Sequence, residues 1–101
     1  MAGLSREKGK RGEREVCQIL RERGYVSERT QRGVAQAEDV TGPEGWSIEV
    51  KRTERFAIRP SWAQARRQAG DRVPVVVTRW NGGEWLAVLP LEDLLDLQAQ
   101  V

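Results

Sequence analysis

The residues of this chain best suited to chemistry are Asp39, Glu49 and Lys51, with Glu13 upstream. The stretch SIEVKRTER, residues 47–55, alternates apolar Ile48 and Val50 with charged Glu49 and Lys51. Strand side chains alternate between faces, so Glu49 and Lys51 share one face and Ile48 and Val50 the other. Alone, such a pair equally describes a half-solvated strand. The turn before it adds a register. GPEG, residues 42–45, reads as a hairpin with the three-residue loop PEG and Gly45 in the left-handed position. That loop pairs Gly42 with Trp46, sets Val40 opposite Ile48 and sets Asp39 opposite Glu49. Directly opposed residues have Cβ atoms about 4.5–5.5 Å apart, and two like charges there repel. Lys51, two residues along, offsets part of that repulsion, and a divalent cation would offset more. Glu13 supplies a third acid. Glu13, Val16, Cys17 and Leu20 follow i, i+3, i+4, i+7, so Glu13 lies on the apolar stripe of a helix, where an acid needs a partner.

Three carboxylates and a lysine suit a hard, oxygen-liking cation. Mg²⁺ takes one or two carboxylates and completes its shell with water and substrate phosphate. A metal so held lowers the pKa of an attacking water, polarises a phosphoryl oxygen and offsets charge on the leaving oxygen. A neighbouring lysine orients the water or stabilises the developing charge. The chain contains no histidine, which excludes a histidine base, a Ser–His–Asp triad and histidine metal sites. Cys17 is its one cysteine, which excludes an internal disulfide and a thiolate zinc cluster.

These residues must be positioned by a small number of elements. A length of 101 residues suits a single domain, with residues 1–9 read as a flexible basic arm. A helix is predicted from Lys10 to Arg23, closed by Gly24. Strands are predicted over Tyr25–Thr30, Ala37–Thr41 and Trp46–Thr53, with QRGVAQ as a loop. A second helix follows Pro60 with Ser61 as its N-cap and ends at Gly70. VPVVVTRW and EWLAVLP read as strands joined by NGG, and LEDLLDL as a short closing helix. The order α-β-β-β-α-β-β-α predicts an α/β or α+β fold with a mixed sheet. No apolar run approaches the roughly 20 residues of a membrane span. The basic N-terminus leads into no apolar region of the kind a secretory signal needs, so a cytoplasmic location is expected. All 17 Lys and Arg lie in residues 1–80 with 11 of the 15 Asp and Glu, a balance of +6, while residues 81–101 hold four acids and no base. A basic body suits a polyanionic partner.

With GERE on the first helix, EDV on the second strand, IEVK on the third and FAIRPSWAQA entering the second helix, the chain resembles the PD-(D/E)xK nuclease superfamily. Within it, the sequence is similar to archaeal-type Holliday junction resolvases, including small phage-encoded relatives, from about Gly9 to Leu97. The resemblance implies a restriction-endonuclease-like core and a homodimeric, Mg²⁺-dependent endonuclease that cuts four-way DNA junctions in recombination and repair. It implies Mn²⁺ as a working substitute, no small-molecule cofactor and no membrane partner, in the host cytoplasm if phage-encoded. Asp39, Glu49 and the Val50 main-chain carbonyl would hold the metal, with Glu13 near it through water. Lys51 would be the catalytic lysine, supported by Gln64. Two positions depart from the pattern. Glu38 stands where the motif has proline, and the loop after the first strand has no serine, leaving Thr30 as the nearest hydroxyl.

Several of these residues carry ordinary readings too. Ser61-x-x-Gln64 is also a capping box. Glu13 could pair with Arg11 or Arg14. Lys8, Lys10, Arg11 and Arg14 read as phosphate contacts or as solvated charge. Arg29, Arg32, Arg52, Arg55 and Arg59 read as DNA contacts flanking the active face, or as surface ion pairs. Cys17 reads as a small core residue. Trp80, Trp85, Leu94 and Leu95 are candidates for a dimer seam. The alternative functions are a nuclease of the same fold acting on duplex or flap DNA, a non-catalytic DNA-binding module of that fold, and a small protein-interaction domain.

Overall fold

The structure is a computed structural model that describes residues 2–30 and 38–100. Helix α1 (Ala2–Glu22) carries the stripe that buries Val16 and Cys17 against Val40, Ile48, Val50 and Val75. It stops at Gly24, which adopts a φ of 92°, while the Tyr25 amide caps the Leu20 carbonyl at 3.0 Å. Residues 2–9, predicted as part of an arm, are instead the first turns of α1. Arg, Glu and Lys are good helix formers, and each glycine costs only about 1 kcal/mol, so Gly3 and Gly9 do not halt the helix. Gly12 lets α1 approach closely, since a Cβ there would lie 3.0 Å from the Arg52 Cβ and 3.3 Å from Trp85.

Strands β1 (Trp46–Arg52), β2 (Val73–Arg79) and β3 (Leu86–Val88) form a mixed sheet in the order β1-β2-β3. Strand β1 pairs parallel to β2 across helix α2 (Ile58–Ala69), and β2 pairs antiparallel to β3. Helix α3 (Leu91–Ala99) ends the described fold. In the parallel register Ile48 faces Val75, Glu49 faces Val76, Val50 faces Val77, Lys51 faces Thr78 and Arg52 faces Arg79. Ile48, Val50 and Arg52 lie on the α1 side. Glu49 and Lys51 lie on the α2 side, where α2 buries Ser61, Ala65 and Ala69. The fold is a small α+β arrangement with helices on both faces of the sheet.

The two predicted strands before β1 are reduced to single bridges, Arg29 to Val40 and Val40 to Ile48. Tyr25 and Val26 are exposed and add no apolar face. Side chains take over part of the pairing: Ser27 Oγ donates to the Thr41 carbonyl at 2.6 Å, and the Glu28 amide donates to Thr41 Oγ1 at 3.0 Å. The loop QRGVAQ and Ala37 lie outside the described residues. The turn keeps the expected Val40 register, but the Trp46 amide bonds the Pro43 carbonyl at 3.1 Å and makes no backbone bond to Gly42. Gly45 has a φ of 84°, and Val40 lies opposite Ile48.

Helix α2 begins three residues before the predicted N-cap. Its cap is Ala57, which makes no side-chain capping bond, and Pro60 sits in the first turn, where its missing N–H is not needed. The Ser61 amide bonds the Ala57 carbonyl at 3.2 Å, so Ser61 is inside the helix and not at its cap. NGG forms part of a longer hairpin connection, residues 80–85, with Gly82 at a φ of 73°.

Candidate active site

The site gathers at the edge of the sheet beside β1. The Asp39 amide donates to the Ile48 carbonyl at 2.9 Å, which ties the Asp39 segment to that edge. The Asp39 side chain then turns back, and its Oδ2 accepts the Val50 amide at 2.8 Å. In an extended strand the N–H and C=O of one residue point the same way, so the Val50 carbonyl also faces this edge and not β2.

Glu49 enters from the α2 face of β1 and is only 2 % exposed. Its Oε1 lies 3.2 Å from Lys51 Nζ, and its Oε2 is buried with no hydrogen-bond partner among the described residues. Burial, then the negative charge of Asp39, raises the Glu49 pKa to about 7, against the pull of Lys51. The Asp39 pKa is raised as well, mainly by burial and further by the charge of Glu13, with the Val50 amide opposing. Lys51 Nζ also donates to Gln64 Oε1 at 2.7 Å. With Ser61 inside α2, the capping-box reading of Gln64 gives way to this contact with Lys51.

Glu13 reaches the same edge from the α1 side. Its Oε1 accepts Arg29 Nε at 2.9 Å, so its partner is neither Arg11 nor Arg14. Among the described residues, no three acidic or thiol side chains converge closely enough to form a metal cage by themselves. Asp39, Glu49 and the Val50 carbonyl are nevertheless three hard oxygen donors at one edge. The buried, unpartnered Glu49 oxygen is the kind of atom a hard cation satisfies, so the donor set fits Mg²⁺. Glu13, held by Arg29, acts on Asp39 through its charge.

The residues expected to touch DNA divide. Arg29 is committed to Glu13. Thr30 donates its amide to the Asp39 carbonyl at 2.9 Å, and its hydroxyl is buried without a partner among the described residues. Arg55 and Arg59 are exposed near the start of α2, and Arg14 is exposed on α1. Lys10 lies 3.8 Å from Glu7, one turn away. Lys8, Arg11 and Arg52 line a pocket on the other face of the sheet. Arg32 lies outside the described residues.

Two ion pairs near the sheet are not legible in the sequence. Glu38, the residue in the motif's proline position, forms an ion pair with Arg72 that anchors the chain next to Asp39. Arg79 pairs with Glu15 at 2.7 Å and lies 5.8 Å from the centre of the Trp85 ring. Both join residues far apart in the chain, and only their charge signs hint at them. No protein-family model matches the chain, and no curated protein matches its sequence.

Proposed function

We propose that the protein is a Mg²⁺-dependent endodeoxyribonuclease that resolves four-way DNA junctions as a homodimer, built on a restriction-endonuclease-like core. The observation that carries this reading is the buried, unpartnered Glu49 oxygen beside Asp39 and Lys51. A buried and a half-buried carboxylate in mutual repulsion are costly unless a cation or a shared proton joins them. Asp39, Glu49 and the Val50 carbonyl would hold Mg²⁺. When bound, it supplies Lewis-acid stabilisation of phosphoryl charge and a lowered pKa for an attacking water.

The chain's own residues do the rest. The Val50 amide fixes the Asp39 carboxylate in one orientation. Gln64 and Glu49 hold Lys51 Nζ from two sides. That ammonium places a cationic donor where negative charge grows on the phosphorus-bound oxygens. Glu13, held by Arg29, adds negative charge beside Asp39. One junction requires two symmetric incisions, which a two-fold dimer supplies. The exposed Leu91, Leu94 and Leu95 of α3 give such a dimer an apolar seam.

The test is incubation of the protein with a four-way junction, a linear duplex and a flap, in Mg²⁺ and in EDTA. Paired junction cuts that vanish in EDTA and in Asp39→Asn support the reading. Equal cutting of the linear duplex would favour a general nuclease of the same fold. Mg²⁺-independent binding with no cutting of any substrate would favour a non-catalytic DNA-binding module.

A further inference from the structure

The pocket on the α1 face of the sheet, about 410 Å³, is lined by Lys8, Arg11, Glu15, Arg52, Arg79 and Asn81. It lies at the carboxyl ends of the parallel strands β1 and β2, where Arg52 and Arg79 stand. Arg52 and Arg79 are direct register partners on the same face. Like charges so placed repel, and a fold keeps them only against negative charge. Arg79 meets Glu15 at 2.7 Å, Arg52 lies 3.8 Å from Glu54, and Lys8 lies 3.5 Å from Glu54. Four cations against the two carboxylates Glu15 and Glu54 leave an excess of two positive charges.

The arginines are also held in place. The Arg52 side chain is only 10 % exposed, and its guanidinium donates to Asn81 Oδ1 at 2.8 Å. The Arg79 guanidinium lies 5.8 Å from the centre of the Trp85 ring, and its Nε is buried without an acceptor among the described residues. Pre-positioned guanidinium groups with surplus charge suit a planar or tetrahedral oxyanion, and phosphate above all.

We infer that this pocket is a phosphate-binding site that grips the backbone of the bound DNA, on the opposite face of β1 from the cutting edge. Lys51 and Arg52 are consecutive residues, so one strand presents the cutting lysine to one side and the gripping arginine to the other. This inference rests on the nuclease reading and extends it to a second point of contact. Arg79 and Asn81 become binding residues, and Lys8 and Arg11 act in this pocket and not at the cutting edge.

The test measures four-way junction binding by fluorescence anisotropy in EDTA across a salt series, with the full chain. Removing one phosphate interaction lowers the slope of log affinity against log salt by about 0.9. Lys8→Gln with Arg11→Gln is expected to weaken binding about tenfold at about 0.1 M salt and to lower the slope by about 1 to 2. Arg79→Gln is expected to act in the same direction. The control Arg66→Gln with Arg67→Gln removes two exposed charges of α2 outside the pocket and is expected to leave the slope nearer the wild type. The Lys8/Arg11 variant is expected to melt within about 2 °C of the wild type, so it decides the matter even if Arg79→Gln folds poorly. If the wild type cuts junctions and the Lys8/Arg11 variant binds with the wild-type slope, the pocket inference falls and the nuclease reading stands. If the wild type neither binds nor cuts DNA, both fall.

Discussion

At the scale of residues, the site is governed by Glu49. Its pKa is raised from 4.5 to about 7, first by burial and then by Asp39. A folded carboxylate with a raised pKa binds protons more tightly than the unfolded chain does, so its contribution to stability is full below about pH 4.5 and lost as pH rises through about 7. In EDTA the melting temperature is therefore expected to fall between about pH 5 and about pH 8, by an amount on the order of a few kcal/mol in stability. Glu49→Gln should flatten much of that slope. Adding Mg²⁺ at about pH 8 should raise the melting temperature of the wild type and leave Glu49→Gln nearly unchanged. A flat wild-type profile in EDTA would contradict this account of the buried carboxylate. Lys51 and Gln64 are separable at the same scale. Lys51→Ala removes the donor itself and should lower the single-turnover cutting rate by about 10²-fold or more. Gln64→Ala only releases Lys51 on one side, with an expected loss of about tenfold and little change in junction affinity.

At the scale of elements, two local features hold the site in register. Gly42 lies under Ile48, where an added Cβ would come within 2.8 Å of Ile48 Cδ1. Gly42→Ala should destabilise the protein by about 1–3 kcal/mol by pushing the Asp39 segment off β1, which denaturant unfolding would measure. Helix α2 begins at an Ala57 cap with no side-chain acceptor. Ala57→Ser should add about 0.5–1 kcal/mol by bonding a free amide of the first turn. If Ser61 were the cap, that substitution would have no such effect.

At the scale of the whole molecule, the sheet separates the carboxylate site beside β1 from the basic pocket on the α1 side, and α3 adds an apolar surface. None of the residues of α3 is buried, and Leu91, Leu94 and Leu95 are 67 %, 49 % and 57 % exposed. A nine-residue helix has little stability of its own, so most of its stability comes from apolar packing. Leu91→Asp with Leu95→Asp should convert a dimer to a monomer in analytical ultracentrifugation. A wild type that sediments as a monomer at the concentrations where it cuts would overturn the dimeric part of the proposed function.

The local features follow from near-neighbour chemistry along the chain. Alternation set Glu49 and Lys51 on one face of β1, and the PEG turn set Val40 opposite Ile48, because both follow from near-neighbour geometry. The apolar stripe of α1 and the breaking glycines after it were equally local. Other features were decided only by packing. The start of α2 depended on whether Pro60 was admitted to its first turn, and that choice freed Gln64 to meet Lys51. The two early strands shrank to bridges because their side chains contribute no second apolar face. The Glu13–Arg29 pair, the Glu38–Arg72 pair and the Arg52–Arg79 register all join residues distant in the chain. Charge complementarity makes such pairs possible, but many pairings satisfy it equally. Only the parallel register of β1 and β2, and the placing of a helix on each face, selects among them.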